Sequence, residues 1–186
     1  MRHDLKLFLR EFLRHPGEVV ALAPSSGELG RAMTRGIGPQ TGRVAELGGG
    51  TGTFTRAILG AGIAPGDLTV FELNPEFAAH LRRSFPGSTV LAEGAETIAR
   101  HCAPGLGAVV SGLPLLSMPR ALQRAIVGGA FEVLRPGGIF VQFTYGPRPP
   151  LAESLRAELG LSVMRGKKVW GNLPPARVYT YTRLPH

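Results

Sequence analysis

Val44-Ala-Glu-Leu-Gly-Gly-Gly-Thr-Gly-Thr-Phe-Thr55 is the stretch that decides the fold of this 186-residue chain. A short apolar strand containing Glu46 leads into three alternating glycines, Gly48, Gly50 and Gly52, and a helical pattern follows. Glycines at such a turn let the backbone pass close to a ligand, and the next helix N-terminus offers free N–H groups. The spacing differs from the Gly-x-Gly-x-x-Gly of NAD-binding domains, because Thr53 stands where the third glycine would be. The stretch therefore predicts a cofactor-binding turn between a strand and a helix.

The rest of the chain alternates strands and helices. Hydrophobic patterning and Gly/Pro breaks predict strands at 43–48, 68–72, 89–92, 108–111 and 139–144, with helices at 53–60, 75–84, 95–101 and 119–134. This order implies a parallel sheet with helices on both faces. Segments 161–169 and 176–183 lack the helix that a parallel crossover needs, so we expect an antiparallel hairpin there. The predicted fold class is α/β: one doubly wound, Rossmann-like sheet, mostly parallel, with an antiparallel C-terminal hairpin.

A helical segment precedes this sheet. Residues 4–14 place their apolar side chains on one helical stripe, with basic residues off it. A second helix is predicted near 26–35, where Ser25 and Glu28 fit a capping box. The predicted organisation is a single domain, 1–186, in which the N-terminal segment 1–36 precedes a catalytic core at 43–186.

Composition and charge narrow the class of protein. One cysteine excludes an internal disulfide framework, and we expect neither a signal peptide nor a membrane span, hence a cytoplasmic location. The net charge of +8 is concentrated at the ends, with four basic and two acidic groups in 2–15, and seven basic and two acidic in 146–186. This distribution favours a polyanionic partner, either nucleic acid or an anionic membrane. A GC-rich genome that favours arginine is the alternative explanation.

An acidic residue follows the glycine turn where a nucleoside cofactor requires one. Glu72 ends the second predicted strand, about twenty residues beyond the turn, and such an acid accepts both ribose hydroxyls of an adenosine-type cofactor. A helix-capping carboxylate is the alternative role. These features resemble the first motifs of class I S-adenosylmethionine (SAM) methyltransferases. The resemblance implies SAM as cofactor, S-adenosylhomocysteine as product, and no metal.

The same resemblance implies the remaining cofactor contacts. Leu73 is expected to pack against the adenine, and either Glu93 or the Ala95 backbone to meet the adenine amino group, because Gly94 stands where related enzymes place an acid. Ser111 is expected beside the methionine part of SAM. The full expected set is Ser25, Ser26, Glu46, Gly48, Gly50, Gly52, Glu72, Leu73, Glu93, Gly94, Ala95, Ser111 and Gly112.

The end of the fourth strand argues against a nucleobase as methyl acceptor. Enzymes that methylate a base amino group typically place Asn or Asp first and an aromatic residue three positions later, so that one accepts the amine hydrogen and the other stacks on the base. Here Gly112 holds the polar position and Leu115 the aromatic one. We therefore expect an acceptor of a different shape.

Several segments narrow the resemblance to bacterial phospholipid N-methyltransferases, the soluble type that converts phosphatidylethanolamine to phosphatidylcholine. The matching segments are the N-terminal amphipathic helix, 20–26, 46–52, 111–115 and 170–178. The resemblance implies methylation of the phosphatidylethanolamine amine, and of its mono- and dimethyl products, by a peripheral, monomeric enzyme at the inner face of the membrane. Because this family resembles rRNA adenine N6-dimethyltransferases, such an enzyme is the alternative; the lipid interpretation predicts no nucleic-acid partner.

Candidate acceptor-site residues lie toward the C-terminus. Tyr145 ends the fifth strand, and we expect it to orient the amine and help remove its proton; a structural tyrosine is equally consistent with the pattern. Arg148, Lys168 and Arg177 are expected to hold the headgroup phosphate, and Tyr179 to line the headgroup pocket.

The N-terminal helix is the expected membrane contact. An amphipathic helix with basic flanks lies in a bilayer interface with its apolar side down. The residues expected to contact lipid are Lys6, Phe8, Arg10, Phe12 and Arg14. Docking of this helix on its own domain is the alternative.

Overall fold

The computed structural model describes residues 26–185. Two predictions therefore lie outside the described residues. One is the helix at 4–14 with its membrane contacts Lys6, Phe8, Arg10, Phe12 and Arg14, and the other is the role of Ser25.

Seven strands and six helices make up the described chain. The strands are β1 (Val44–Leu47), β2 (Leu68–Phe71), β3 (Thr89–Leu91), β4 (Leu106–Ser111), β5 (Leu134–Thr144), β6 (Leu161–Val169) and β7 (Ala176–Arg183). The helices are α1 (Gly27–Met33), α2 (Thr53–Gly60), α3 (Pro75–Ser84), α4 (Ile98–His101), α5 (Arg120–Val133) and α6 (Glu153–Glu158). No helix in this part of the chain has the length and hydropathy needed to cross a bilayer.

The strands form one sheet in the order β3-β2-β1-β4-β5-β7-β6. Neighbours from β3 to β5 are parallel, whereas β7 is antiparallel to both β5 and β6. This confirms the predicted doubly wound, mostly parallel sheet with an antiparallel C-terminal hairpin. The order reverses between β1 and β4, and ligands of such sheets bind at the carboxyl ends of the strands at this switch point.

The hairpin register decides which side chains share that edge. Thr144, at the carboxyl end of β5, pairs with Arg177 on β7, which pairs in turn with Lys168 on β6. The connection from Trp170 to Pro175, called the β6–β7 loop below, therefore lies at the same edge as the glycine turn. The other end of β7 points to the opposite edge.

Alternate strand residues build two apolar layers, one on each face of the sheet. On β1, Val44 packs in the layer covered by α1, α2 and α3, whereas Ala45 packs in the layer covered by α4, α5 and α6. Glu46 follows Val44 by two residues and so points toward the first layer, because strand side chains alternate. An acidic side chain is thereby placed inside the fold.

Three details of the helices differ from the sequence prediction. The cap of α1 is Ser26, one residue after the predicted Ser25, because its hydroxyl accepts the Leu29 N–H at 3.1 Å. The predicted helix at 95–101 begins as a 3₁₀ turn before α4. Helix α6 was not predicted, since its six residues are too few to show helical periodicity around the one buried side chain, Leu155.

Candidate functional site

The glycine turn is built for close backbone approach. Gly48, Gly50 and Gly52 all have positive φ. At Gly48 (φ +79°) a side chain would strain the backbone, and its Cβ would lie 2.8 Å from Leu113 Cδ2, so the Leu113 side chain would have to shift. The Gly48 N–H donates to the Phe71 carbonyl at 2.8 Å, which fixes the turn to the end of β2.

Glu72 ties this turn to the second strand. Its carboxylate is 6% exposed and accepts two backbone N–H groups, from Gly50 and from Asn74, both at 2.8 Å. Asn74 in turn caps α3 through its side-chain oxygen. A carboxylate has about four lone-pair positions, so capacity for ligand hydroxyls is left after these two bonds. Glu72 thus organises the local backbone, and it also lines a cavity.

That cavity runs along the carboxyl edge beside Glu72. Its lining is Gly48, Phe71, Glu72, Leu73, Glu93, Gly94, Ala95, Glu96, Leu113, Met118 and Ile126. Six of the residues expected around the cofactor are therefore brought together here. The Leu73, Met118 and Ile126 side chains provide apolar surface of the kind that accepts a flat heteroaromatic ring.

Glu96 is a cavity residue that sequence reasoning missed. Its carboxylate oxygens lie where a Cβ on Gly94 would stand, so this side chain folds over Gly94. Glu93, which together with the Ala95 backbone was one of two candidates for the adenine amino group, is exposed at the rim. The structure therefore offers a second acidic group for that position.

Glu46 is fully buried beneath the turn. The Thr55 hydroxyl donates to its Oε2 at 2.6 Å, whereas Oε1 has no partner among residues 26–185. Burial raises the pKa of Glu46 to about 8, an effect that the Thr55 hydrogen bonds reduce and the nearby Glu72 charge adds to. Glu46 is therefore predominantly neutral at pH 7 and contributes a hydroxyl rather than a charge.

Ser111 and Gly112 close the turn from the β4 side. The Gly112 N–H donates to the Leu47 carbonyl at 2.8 Å, and a Cβ on Gly112 would lie 3.0 Å from the Gly48 oxygen. Ser111 is buried and accepts a long bond from the Leu113 N–H at 3.4 Å. Gln142 on β5, another residue that was not predicted, holds the Leu113 carbonyl at 2.8 Å.

Asn172 connects the β6–β7 loop to the first helix. Its Oδ1 accepts the Ser26 N–H at 2.9 Å, and its Nδ2 donates to the Pro174 carbonyl at 2.8 Å. Ser26 is thereby held at the carboxyl edge, although its hydroxyl is used to cap α1. Asn172 lies in the segment 170–178, one of those that carried the family resemblance. Its place in that segment is the sequence feature that could have identified it as a candidate residue.

Tyr145 places a hydroxyl at the same edge. The oxygen is buried and makes no hydrogen bond within the described residues. Burial raises the pKa of this phenol, and the neighbouring Asn172 side chain offsets part of the effect without forming a hydrogen bond of good geometry. An aromatic row links Tyr145 to the turn: its ring lies 5.4 Å from Phe143, and Phe143 lies 5.7 Å from Phe54.

The basic residues at this edge differ in how they are used. Arg148 and Lys168 are exposed, and the Lys168 ammonium lies 4.1 Å from the centre of the Trp170 ring. Arg177 donates one N–H to the Gly166 carbonyl at 2.9 Å, beside the irregular pairing of β6, and its other donors have no partner within residues 26–185. Tyr179 is buried in the core and its hydroxyl donates to the Pro147 carbonyl at 3.3 Å, so the structure gives it a packing role.

Comparisons with known proteins agree with this geometry. No protein-family model matches the chain. The ornithine lipid N-methyltransferase of Singulisphaera acidiphila is 36% identical over 152 residues, covering 77% of this chain and 79% of that protein. Among solved structures, the TehB-like SAM-dependent methyltransferase of Corynebacterium glutamicum matches with a TM-score of 0.66 at 12% identity, covering 99% of this chain and 100% of that one.

A second solved structure was obtained with ligands bound. The Burkholderia thailandensis 1,6-didemethyltoxoflavin-N1-methyltransferase, with 1,6-didemethyltoxoflavin and S-adenosylhomocysteine, matches with a TM-score of 0.74 at 16% identity, covering 98% of this chain and 90% of that one. At such identities, the two structures show that the sheet and its helices form the class I methyltransferase fold.

Glu72→Gln tests the carboxylate at the centre of the site. The amide would direct a donor at one of two backbone N–H groups and weaken acceptance from ribose hydroxyls, so we expect the Kd for S-adenosylhomocysteine to rise at least about tenfold by calorimetry. Glu76→Gln, which removes the same charge from an exposed position on α3, should leave the Kd unchanged. An unchanged Kd for Glu72→Gln would remove this residue from the cofactor site.

The buried Glu46 should make stability depend on pH. Because folding raises its pKa from 4.5 to about 8, the folded state keeps a proton that the unfolded state releases over this range. The free energy of unfolding should fall between pH 5 and pH 8 by up to about 1.4 kcal/mol per pH unit. Glu46→Gln keeps an acceptor for Thr55 and cannot ionise, so urea titrations should show a flatter profile. Glu132→Gln, an exposed control, should retain the wild-type slope; the same slope in Glu46→Gln would contradict the assignment.

Proposed function

Because the chain belongs to the SAM-dependent lipid N-methyltransferases, as its similarity to the ornithine lipid enzyme shows, we propose that it methylates the headgroup amine of phosphatidylethanolamine. The mono- and dimethyl products keep a lone pair after deprotonation and would serve as further substrates toward phosphatidylcholine. In this proposal the enzyme is a monomer that works at the inner face of the membrane, without nucleic acid.

The residues at the end of β4 favour an aliphatic amine over a nucleobase as the methyl acceptor. Gly112 has no side chain to accept an amine hydrogen, and its packing against the Gly48 oxygen leaves little room for one. Leu115, at the position of a stacking aromatic residue, is 1% exposed and packs in the core. Neither position therefore contributes a group that recognises a planar base.

The cofactor half of the proposal uses residues already at one edge. Glu72 would accept the ribose hydroxyls, and the apolar wall around Leu73 would pack against the adenine. Ser111, Gly112 and Ser26 lie toward the side where the methionine part would bind, as the resemblance implies. SAM supplies the electrophilic methyl group, so the protein has mainly to align donor and acceptor.

Tyr145 is the proposed orienting group for the amine. Its hydroxyl is buried and makes no hydrogen bond within the described chain, so its hydrogen-bonding capacity is unused there. Because burial raises the pKa of a phenol that already titrates near 10, Tyr145 is neutral at physiological pH and is a poor proton acceptor. We propose that its oxygen accepts a hydrogen bond from the amine, and that the proton leaves to solvent before methyl transfer.

The headgroup also carries an anionic group. Arg148, Lys168 and the free donors of Arg177 are proposed to hold it, since all three lie at the carboxyl edge of the sheet, where β5 and the hairpin meet. Guanidinium groups bind phosphate and carboxylate in the same forked geometry. This part of the site therefore suits either phosphatidylethanolamine or an amino-acid lipid such as ornithine lipid.

A labelling assay tests the substrate. Vesicles containing phosphatidylethanolamine, vesicles containing ornithine lipid, and ribosomal RNA are each incubated with methyl-labelled SAM and the full chain. We expect label in phosphatidylethanolamine. Label in ornithine lipid alone would replace the substrate and keep the lipid amine chemistry, whereas label confined to ribosomal RNA would overturn the proposal.

Tyr145→Phe tests the orienting hydroxyl. The variant keeps the aromatic contact with Phe143 and removes an oxygen that lacks an internal partner, so we expect unchanged stability and an unchanged Kd for S-adenosylhomocysteine. The kcat for lipid methylation should fall about tenfold to a hundredfold, which corresponds to about 1.4 to 2.7 kcal/mol of lost alignment. Tyr181→Phe, at a core position, should leave kcat unchanged. Full kcat in Tyr145→Phe would assign this tyrosine a structural role.

A further inference from the structure

The β6–β7 loop exposes two large apolar side chains. Trp170 is 71% exposed and Leu173 is 79% exposed, although they are separated by only two residues. Soluble proteins rarely leave an aromatic and an aliphatic residue together in solvent unless the surface binds something. This loop is therefore the strongest candidate for a surface that the cofactor site does not use.

The exposure does not come from an unanchored loop. Asn172, between the two apolar residues, is 2% exposed and bonded on both sides, to the Ser26 N–H and to the Pro174 carbonyl. Gly171 lies directly against the Glu28 carboxylate of α1. The loop thus fixes one polar side chain inward and presents Trp170 and Leu173 outward, which lowers the ordering cost of binding.

The surroundings of the loop are positively charged. At the end next to the loop, the two hairpin strands carry Lys167, Lys168 and Arg177, and no acidic residue follows Glu158 in the sequence. The Lys168 ammonium already sits over the Trp170 ring. Glu28, beside Gly171, is the acidic group that touches the loop. Apolar tips flanked by ammonium and guanidinium groups match a bilayer interface with anionic headgroups.

The loop also lies at the edge where the methyl acceptor must arrive. The register of β5, β7 and β6 places it beside Thr144 and Tyr145, at the carboxyl ends of the parallel strands. A bilayer contacted by this loop would present its headgroups to the open side of the cofactor cavity. A soluble partner protein would not need to bind at the edge where the methyl acceptor enters.

We propose that the β6–β7 loop docks the enzyme on anionic membranes, with Trp170 and Leu173 inserted at the headgroup level and the hairpin lysines against lipid phosphates. The inference rests on the proposed lipid substrate and extends it, because it assigns the membrane contact to the carboxyl-terminal hairpin as well as to the predicted N-terminal helix.

The sequence supplies a direct probe, since Trp170 is its single tryptophan. The full chain is titrated with phosphatidylglycerol vesicles and, separately, with phosphatidylcholine vesicles. We expect the phosphatidylglycerol vesicles to shift Trp170 emission to shorter wavelength, to shield it from acrylamide, and to quench it when the acyl chains are brominated. Phosphatidylcholine vesicles should produce a much smaller change, because the electrostatic contribution is lost.

Variants distinguish insertion of the β6–β7 loop from non-specific binding to vesicles. The double variant Trp170→Ala, Leu173→Ala should bind phosphatidylglycerol vesicles at least about tenfold more weakly in co-sedimentation, because two apolar side chains no longer leave water. Leu184→Ala is the matched control: Leu184 is 50% exposed, but it follows the far end of β7 at the opposite edge. Its vesicle affinity should equal that of the wild type.

Three results would overturn the proposal. The first is vesicle binding with unchanged Trp170 emission. The second is equal vesicle affinity of the double variant and the wild type. The third is protection of Trp170 from acrylamide in the absence of vesicles, if deletion of residues 1–25 removes that protection. This result would make the N-terminal segment the occupant of this surface.

The outcome is independent of the substrate assay. With a short-chain amino lipid below its micellar concentration, the double variant should keep wild-type methylation and lose it only on vesicles. If no lipid is labelled in either form while Trp170 still inserts into phosphatidylglycerol, the substrate proposal fails and the docking proposal stands. If the wild type and the double variant label the lipid equally, both below its micellar concentration and in vesicles, the docking proposal fails and the substrate proposal stands.

Discussion

The carboxyl edge of the sheet depends on a single carboxylate, which holds two backbone turns and faces the cavity. Glu72 holds the N–H groups of Gly50 and Asn74, which belong to the glycine turn and to the cap of α3. Because both bonds are to an acceptor at the end of β2, the turn after β1 and the turn after β2 cannot move independently. Pre-organised acceptors of this kind bind a ligand without a reorganisation cost. The turns after β1 and β2 are thus held together as one unit, and the other residues of the cavity are arranged around them.

Most of the fold was predictable because local patterns determine it. The bounds of α2, α3, β6 and β7 match the predicted segments, since apolar periodicity and Gly/Pro breaks agree there with the tertiary structure. The prediction of cofactor contacts around Glu72 follows from one strand-end rule. Asn172, Gln142 and Glu96 could not be found in this way, because their roles arise from hairpin register and side-chain direction rather than from any local motif.

The two acidic groups near the turn illustrate how context divides similar residues. Glu46 and Glu72 lie near the carboxyl ends of adjacent strands, yet burial keeps the first predominantly neutral, whereas the second accepts two backbone N–H groups and faces a cavity. Like charges placed close together oppose each other, and a neutral Glu46 adds no such repulsion at Glu72. The raised pKa of Glu46 is therefore explained by burial beside Glu72, without a role for Glu46 as an acid or base of the reaction.

The hydrogen bond from Ser26 to Asn172 joins positions 146 residues apart. A ribosome delivers the chain from its N-terminus, so α1 emerges long before the hairpin that completes its cap. The half of the sheet that binds the cofactor can assemble early from local strand–helix units, whereas the edge that receives the methyl acceptor closes only when the last strands arrive. Nascent chains would therefore acquire a cofactor platform first and a complete acceptor edge last, which makes loss of the carboxyl-terminal hairpin more damaging to substrate selection than to the recognition of SAM.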